Sequence, residues 1–248
     1  MKLRWQIFVL VVMLAGLSLA GCQKEISDPD GGSNGRLCTG CEFLPACDSS
    51  YYVYVDSTAN GVDSNYNLIT IEGDSSINGR KFYKMSTIGF FGEGIFFQCG
   101  GGDYQVYGRA DQLGLNLDSL FGLLGGGGLP PGTLPQPGPL LINILKSSAG
   151  AGAQWTDNLY KASIFLINLS IDAKSTMLER LPSYQVLETN FTNVLRVRSN
   201  IVFSLTGSPD LELGQLDVWY ASGVGIIRAQ AISEGALVLD RKLARWQQ

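Results

Sequence analysis

Apolar and polar residues alternate in short runs bounded by turn residues along most of this chain, and no stretch sustains a helical period over several turns. Tyr51 to Asp56, Tyr-Tyr-Val-Tyr-Val-Asp, is the first strong strand, because aromatic and β-branched side chains fit a pleated, half-buried surface. A polar turn follows it, then a second short run at Asn67 to Glu72, and Asn78-Gly79 reads as the turn into Arg80 to Thr87. Asp103 to Arg109 alternates again, with Tyr104 and Val106 on one face and Tyr107 on the other. Leu140 to Leu145 restarts ordered structure, and Ser163 to Ile171 places Phe165, Ile167, Leu169 and Ile171 on one strand face. Ser175 to Leu181 reads as one or two helical turns before Pro182. Tyr184 to Leu187, Val194 to Arg198 and Asn200 to Leu205 read as successive antiparallel strands, and Leu211 to Tyr220 and Gly235 to Trp246 close the set. The sum is an all-β or β-rich antiparallel protein without the strand–helix alternation of an α/β enzyme.

Glycine and proline punctuate this pattern. Glycines interrupt the aromatics Phe90, Phe91, Phe96 and Phe97, which predicts bends or bulges in a curved sheet. Gly122 to Pro139 holds seven glycines and five prolines, so it cannot be a regular helix or a central strand and is expected to be a flexible insertion. It lacks the Gly-Lys-Ser/Thr ending of a phosphate loop. Asp56, Thr58, Asn60, Gly61 and Asp63 alternate oxygen side chains around a glycine as a calcium loop does, but Asn67 stands where the bidentate glutamate would be, and the segment reads as a surface turn.

The amino terminus departs from alternation. Lys2 and Arg4 precede an apolar segment from Trp5 to Leu19, too short and wrongly flanked for a transmembrane helix and typical of a signal peptide. The segment closes on Leu19-Ala20-Gly21-Cys22, which resembles the bacterial lipobox. That resemblance implies cleavage before Cys22, a diacylglycerol on its thiol and an N-acyl group such as palmitate on its amine, so residues 1–21 would be a leader and Cys22 the lipidation site. Several acyl chains hold a protein to a membrane durably where one does not. Residues 22–37 then form the lipidated terminus and a polar, Gly-rich tether, and residues 38–248 a single disulfide-stapled β-rich domain containing the 122–139 insertion. The acidic residues in Gln23 to Asn34 resemble the export signal of Bacteroidota surface lipoproteins. The expected place is the bacterial outer membrane, on its periplasmic or its cell-surface face.

Export changes the reading of the cysteines. Cys38, Cys41, Cys47 and Cys99 are expected to form two disulfides, with three connectivities open. A zinc centre would show a second close pair, whereas Cys47 and Cys99 lie 52 positions apart. A redox pair at Cys38-Thr39-Gly40-Cys41 would need a helix start to lower its thiol pKa. Without Lys2 and Arg4, sixteen basic side chains face 22 acidic ones, a formal charge of −6, which argues against a nucleic-acid partner. The chain has no histidine, which removes histidine-based triads and mixed Cys/His zinc sites.

Ser222, in Ala-Ser-Gly-Val-Gly, lacks the Gly-x-Ser-x-Gly form of a nucleophile elbow and has no histidine base. Its surroundings, Trp219-Tyr220-Ala221-Ser222-Gly223-Val224-Gly225-Ile226-Ile227-Arg228, resemble a motif of uncharacterised Bacteroidota lipoproteins. Asn78 to Lys84 and Phe191 to Val197 resemble two further elements of that family, and the likeness spans roughly residues 65–248. It implies an extracytoplasmic antiparallel sheet, strongly curved into a half-barrel like that of periplasmic lipoprotein carriers, with short helical turns. The family lends no activity.

The expected function is therefore a noncatalytic envelope lipoprotein, held to the membrane by its lipid anchor and binding a partner protein, a glycan or an apolar ligand. No catalytic, metal or cofactor-binding residue is assigned. The alternative is a carbohydrate or peptidoglycan hydrolase using Asp56, Asp63, Glu72, Asp74, Glu93 or Asp103. These readings differ in what they require of the fold. A carrier needs an apolar cavity, a hydrolase needs two carboxylates about 5 to 9.5 Å apart across a cleft, and a recognition module needs a closed core with an exposed aromatic patch or loop.

Overall fold

The computed structural model describes residues 37–86, 94–113, 138–164 and 167–248, the side chains of residues 164 and 167 excepted. Cys22, the tether, Phe90, Phe91, Glu93 and nearly all of the Gly/Pro-rich 122–139 segment lie outside the described residues. Among the described residues there are thirteen strands and no helix.

Eight strands form one sheet, in the order β2 (Gly61–Ile69), β1 (Ser50–Thr58), β13 (Ala236–Gln247), β12 (Gly225–Ser233), β11 (Leu211–Ala221), β10 (Thr189–Leu205), β9 (Ile167–Val186) and β8 (Gln154–Ile164). Five form a second, in the order β3 (Ile71–Ile77), β4 (Arg80–Met85), β5 (Ile95–Gly100), β6 (Asp103–Gly108) and β7 (Leu140–Lys146). Both sheets are antiparallel throughout. The last strand pairs with the first, Tyr54 opposite Leu243. Between β2 and β3 the chain passes from the large sheet to the small one through a single residue, Thr70, so the run Asn67 to Glu72 is two strand ends and not one strand.

The two sheets share one core. Met85, Ile95, Phe97, Val106 and Leu145 of the small sheet join Tyr54, Leu195, Val197, Ile227 and Leu243 of the large one in a single cluster. Alternation along each strand supplies it. In β1, Ser50, Tyr52 and Tyr54 are buried while Tyr51, Val53 and Val55 are half-buried. The Tyr54 hydroxyl donates to the Ile226 carbonyl at 3.1 Å, and the Tyr220 hydroxyl reaches across to the Ile144 carbonyl of β7 at 3.2 Å.

This architecture corrects the expectation of a strongly curved half-barrel with helical turns. Each sheet is open, ending at β2 and β8 or at β3 and β7. The apolar faces are covered by the opposite sheet, which removes the need for one sheet to bend around an interior. The expected helical turns at Ser175 to Leu181 are strand within β9. Ser175 and Met177 are buried on period two, and the β9–β10 ladder continues in one register on both sides of Pro182, from Leu181 opposite Val194 to Ser183 opposite Thr192. A hairpin of twenty- and seventeen-residue strands overrides the weak local helix preference. Ser163 to Ile171 is also not one strand, because Ile164 pairs with Ile167 and closes a hairpin there.

Candidate functional site

The Trp219 to Arg228 segment forms the β11–β12 hairpin, with Gly223 (φ 69°) and Gly225 (φ 112°) in backbone regions that side chains disfavour. Its turn is held by the amino-terminal loop. Ser222 donates its hydroxyl to a Glu42 carboxylate oxygen at 2.9 Å, and the Gly223 N–H donates to the Glu42 carbonyl at 2.7 Å. The Gln248 amide donates to the Gly223 carbonyl at 2.9 Å. Ser222 is thus a turn-fixing residue.

Trp219 lies between two guanidinium groups, Arg196 at 4.7 Å and Arg228 at 5.2 Å from its ring, with Tyr184 stacked at 5.7 Å. Asp217, two residues away, accepts from Arg196 Nη2 at 2.7 Å and from Arg198 Nε and Nη2, both at 2.8 Å. Arg196 also donates to Glu179 at 2.6 Å. Asp240 accepts from Arg228 and Lys242. Burial pushes the Asp217 carboxyl up, but the hydrogen bonds from Arg198 and Arg196 more than reverse this and hold it below the usual carboxylate range. Arg196 and Arg198 are locked in an ionic and aromatic lattice. Its cations are bonded to carboxylates, so it is organised to hold β9 to β13 together.

The cysteines pair as Cys38–Cys47 and Cys41–Cys99, the second tying the amino-terminal loop to β5. The carboxylates of the hydrolase alternative are brought into no common arrangement. Asp56 binds Arg241 on the large sheet, while Glu72 and Asp74 of β3 bind Lys84 and Lys81 on the small one. Asp63 accepts from the Ser64 N–H at 2.7 Å, and Asp103 heads β6 opposite Lys146. Among the described residues no three His, Cys, Asp or Glu side chains converge as metal ligands.

A recess between the amino-terminal loop and the large sheet, lined by Leu44, Pro45, Tyr52, Tyr54, Ile69 and Ile226, holds about 10 Å³. That is roughly the space of one water, and an acyl chain does not fit it. Burial pushes the Tyr52 phenol up to about 12, so it sits there as a neutral donor to the Pro45 carbonyl.

The surface is less closed at the edges. β8 faces β7, where Asp157 accepts from the Asn143 N–H and amide at 3.1 and 2.6 Å. β3 carries Glu72 and Asp74 and a register shift at Gly73, the usual means of blunting an edge. β2 carries one carboxylate, Asp63, and no register shift. Its nine residues pair with β1 without a register shift and contain no proline and no lysine. Val62 is 72%, Tyr66 59% and Leu68 45% exposed, and Tyr66 stacks on Tyr51 at 5.6 Å.

The two-residue loop Ala59-Asn60 makes Thr58 and Gly61 a hydrogen-bonded pair, so the odd-numbered residues of β2 bond to β1 and the even-numbered ones point their N–H and C=O groups outward. The local partners agree. The Ser64 N–H is taken by Asp63, and the Leu68 carbonyl accepts from the Ser86 hydroxyl at 3.1 Å. The sequence reading passed over most of β2 as a polar turn. The signal available was Asn60-Gly61 followed by Val62, Tyr66 and Leu68 on one face.

No described protein family matches the chain, and no curated protein does. A solved chain from Parabacteroides distasonis ATCC 8503, described as a lipoprotein, is 15% identical with a TM-score of 0.44, covering 85% of this chain and all of its own length. A solved chain from Bacteroides fragilis NCTC 9343, described as an exported protein with a YmcC-like fold, is 12% identical with a TM-score of 0.38, covering 84% of this chain and all of its own. The likeness is distant and to Bacteroidota proteins, without the motif-level match or the half-barrel that the sequence resemblance implied. Likeness this distant carries no function across.

Proposed function

We propose that this chain is a noncatalytic, lipid-anchored envelope protein that recognises a protein partner by adding the partner's strand to β2. The observation that carries this reading is a nine-residue edge strand without a register shift, with Val62, Tyr66 and Leu68 exposed on it, on a domain whose two sheets share one core. An added strand would gain backbone hydrogen bonds from the outward groups of Val62, Ser64 and Tyr66, and side-chain contacts from the same residues. The lipobox-like Cys22 supplies the anchor and residues 23–36 the spacer. The test is photo-crosslinking in intact cells, with a photoreactive residue replacing Tyr66 and, as a control, Ser208 on an exposed turn. A discrete protein adduct at Tyr66 and none at Ser208 supports strand recognition. Equal labelling at both positions, or none at Tyr66, refutes it.

A further inference from the structure

The partner's identity can be argued from β2 itself, and this inference rests on the edge-recognition reading above. The rungs available to an added strand are set by what is already bonded. Leu68 has its carbonyl held by Ser86, which also accepts from the Thr70 N–H at 2.9 Å, so among the described residues the open part of the edge is Val62, Ser64 and Tyr66. The Ser64 N–H is held only by the adjacent, exposed Asp63 carboxylate, a contact that a water can replace when the carboxylate swings away.

An antiparallel two-fold contact between two such edges can be centred on the middle rung, Ser64, and the side chains it would then oppose are what favour it. We propose that the occupant of the β2 edge is the β2 edge of a second copy of this chain, joined antiparallel about a two-fold axis at Ser64. In this register Val62 of each copy lies opposite Tyr66 of the other, Ser64 lies opposite Ser64, and Asp63 lies opposite Asn65. About six backbone hydrogen bonds form, two for each of the three opposed pairs. Val62 against Tyr66 is a β-branched and aromatic cross-strand pair, a favourable combination, and it covers the two most exposed large apolar side chains among the described residues. Asp63 meets an amide and no other carboxylate.

The neighbouring registers are poorer. A shift of one rung toward the Ala59-Asn60 turn sets Asp63 against Asp63, like charges directly opposed. A shift of one rung the other way places Asn65 on the axis and sends Val62 to Leu68, whose carbonyl Ser86 already occupies. The contact joins two eight-stranded sheets into one continuous sheet. It is small, so confinement of both copies to one membrane by their anchors, which raises the local concentration, is part of what makes it form.

The register makes the test specific. Hydrogen-bonded antiparallel partners have Cα atoms about 5.5 Å apart, within the roughly 4.4–6.8 Å that a disulfide spans. In the full-length protein, in native envelopes, Ser64→Cys should therefore convert most of the chain to a reducible covalent dimer under mild oxidation. Asn65→Cys, whose two copies would be about 8 Å apart in this register, and Asn60→Cys, on the hairpin turn, should stay monomeric. The native disulfide pairing, checked by peptide mapping, confirms that each variant is folded. Dimerisation of Asn65→Cys in place of Ser64→Cys overturns the proposed register. No dimer in either variant, with a different protein captured at Tyr66, overturns self-pairing and leaves edge recognition standing. No dimer and no capture at Tyr66 removes both.

Discussion

Asp217 is the most informative position for the large sheet, because it joins Arg196 and Arg198 and lies two residues from the Trp219 ring that Arg196 covers. Asp217→Asn keeps the shape and replaces one acceptor oxygen with an NH2 group that faces guanidinium donors. The Asp217 side chain is 2% exposed, whereas those of Arg196 and Arg198 are 24% and 35% exposed. Breaking a fully buried ion pair from one side costs about 3–5 kcal/mol, and partial rehydration of the two arginines reduces this to about 2–3 kcal/mol. For a domain of this size that is a fall in Tm of about 5–10 °C. Urea unfolding with the disulfides intact, followed by tryptophan fluorescence, gives the difference directly. The acid limb gives its cause. A carboxyl with a folded pKa below its unfolded value of about 3.9 contributes stability above that pH and loses it as the pH falls through the folded pKa. The wild-type advantage over Asp217→Asn should therefore be full at pH 6 and shrink below about pH 4. A loss under about 1 kcal/mol, or a gap that does not narrow in acid, would refute the account of the lattice.

Other consequences are open to measurement. Cys41→Ser with Cys99→Ser opens a loop of 58 residues and should lower stability by about 4 kcal/mol, against about 2–3 kcal/mol for the nine-residue Cys38–Cys47 loop; denaturation of the two double variants compares them. Asp157 has the opposite sign from Asp217: burial raises its pKa, only partly offset by the Asn143 hydrogen bonds, so its contribution is greatest below about pH 3.9 and is lost as the pH rises through the folded value. Asp157→Asn should remove that acid-side gain, as a titration of stability between pH 3 and 7 would show. Tyr220→Phe, which deletes the hydroxyl donated to Ile144, should cost about 1 kcal/mol in the same assay. Cys22→Ala should abolish membrane partitioning, and intact-protein mass spectrometry of the wild type should find acyl mass on Cys22.

Strand identity was legible wherever alternation was local and clean. Tyr51 to Asp56, Arg80 to Thr87 and Asp103 to Arg109 each fall on a strand, to within a residue or two, and Leu140 to Leu145, where order was expected to resume, is strand as well. The failures have physical causes. Ser175 to Leu181 was read from local propensity, but partners along β10 supply a full ladder of backbone bonds that outweighs it. β2 was missed because its polar residues look like a turn until β1 gives them something to pair with.

The sequence by itself determined the β class and the supply of four cysteines suited to two bridges, and it carries the lipobox-like segment, since these depend on period, order and composition within short windows. Only tertiary structure decided which cysteines pair, that two open sheets share one core, that Arg196 and Arg198 converge on Asp217, and that β2 rather than β3 or β8 is left without a register shift. Each of those depends on residues far apart in the chain. Register, and not propensity, fixes which of them meet.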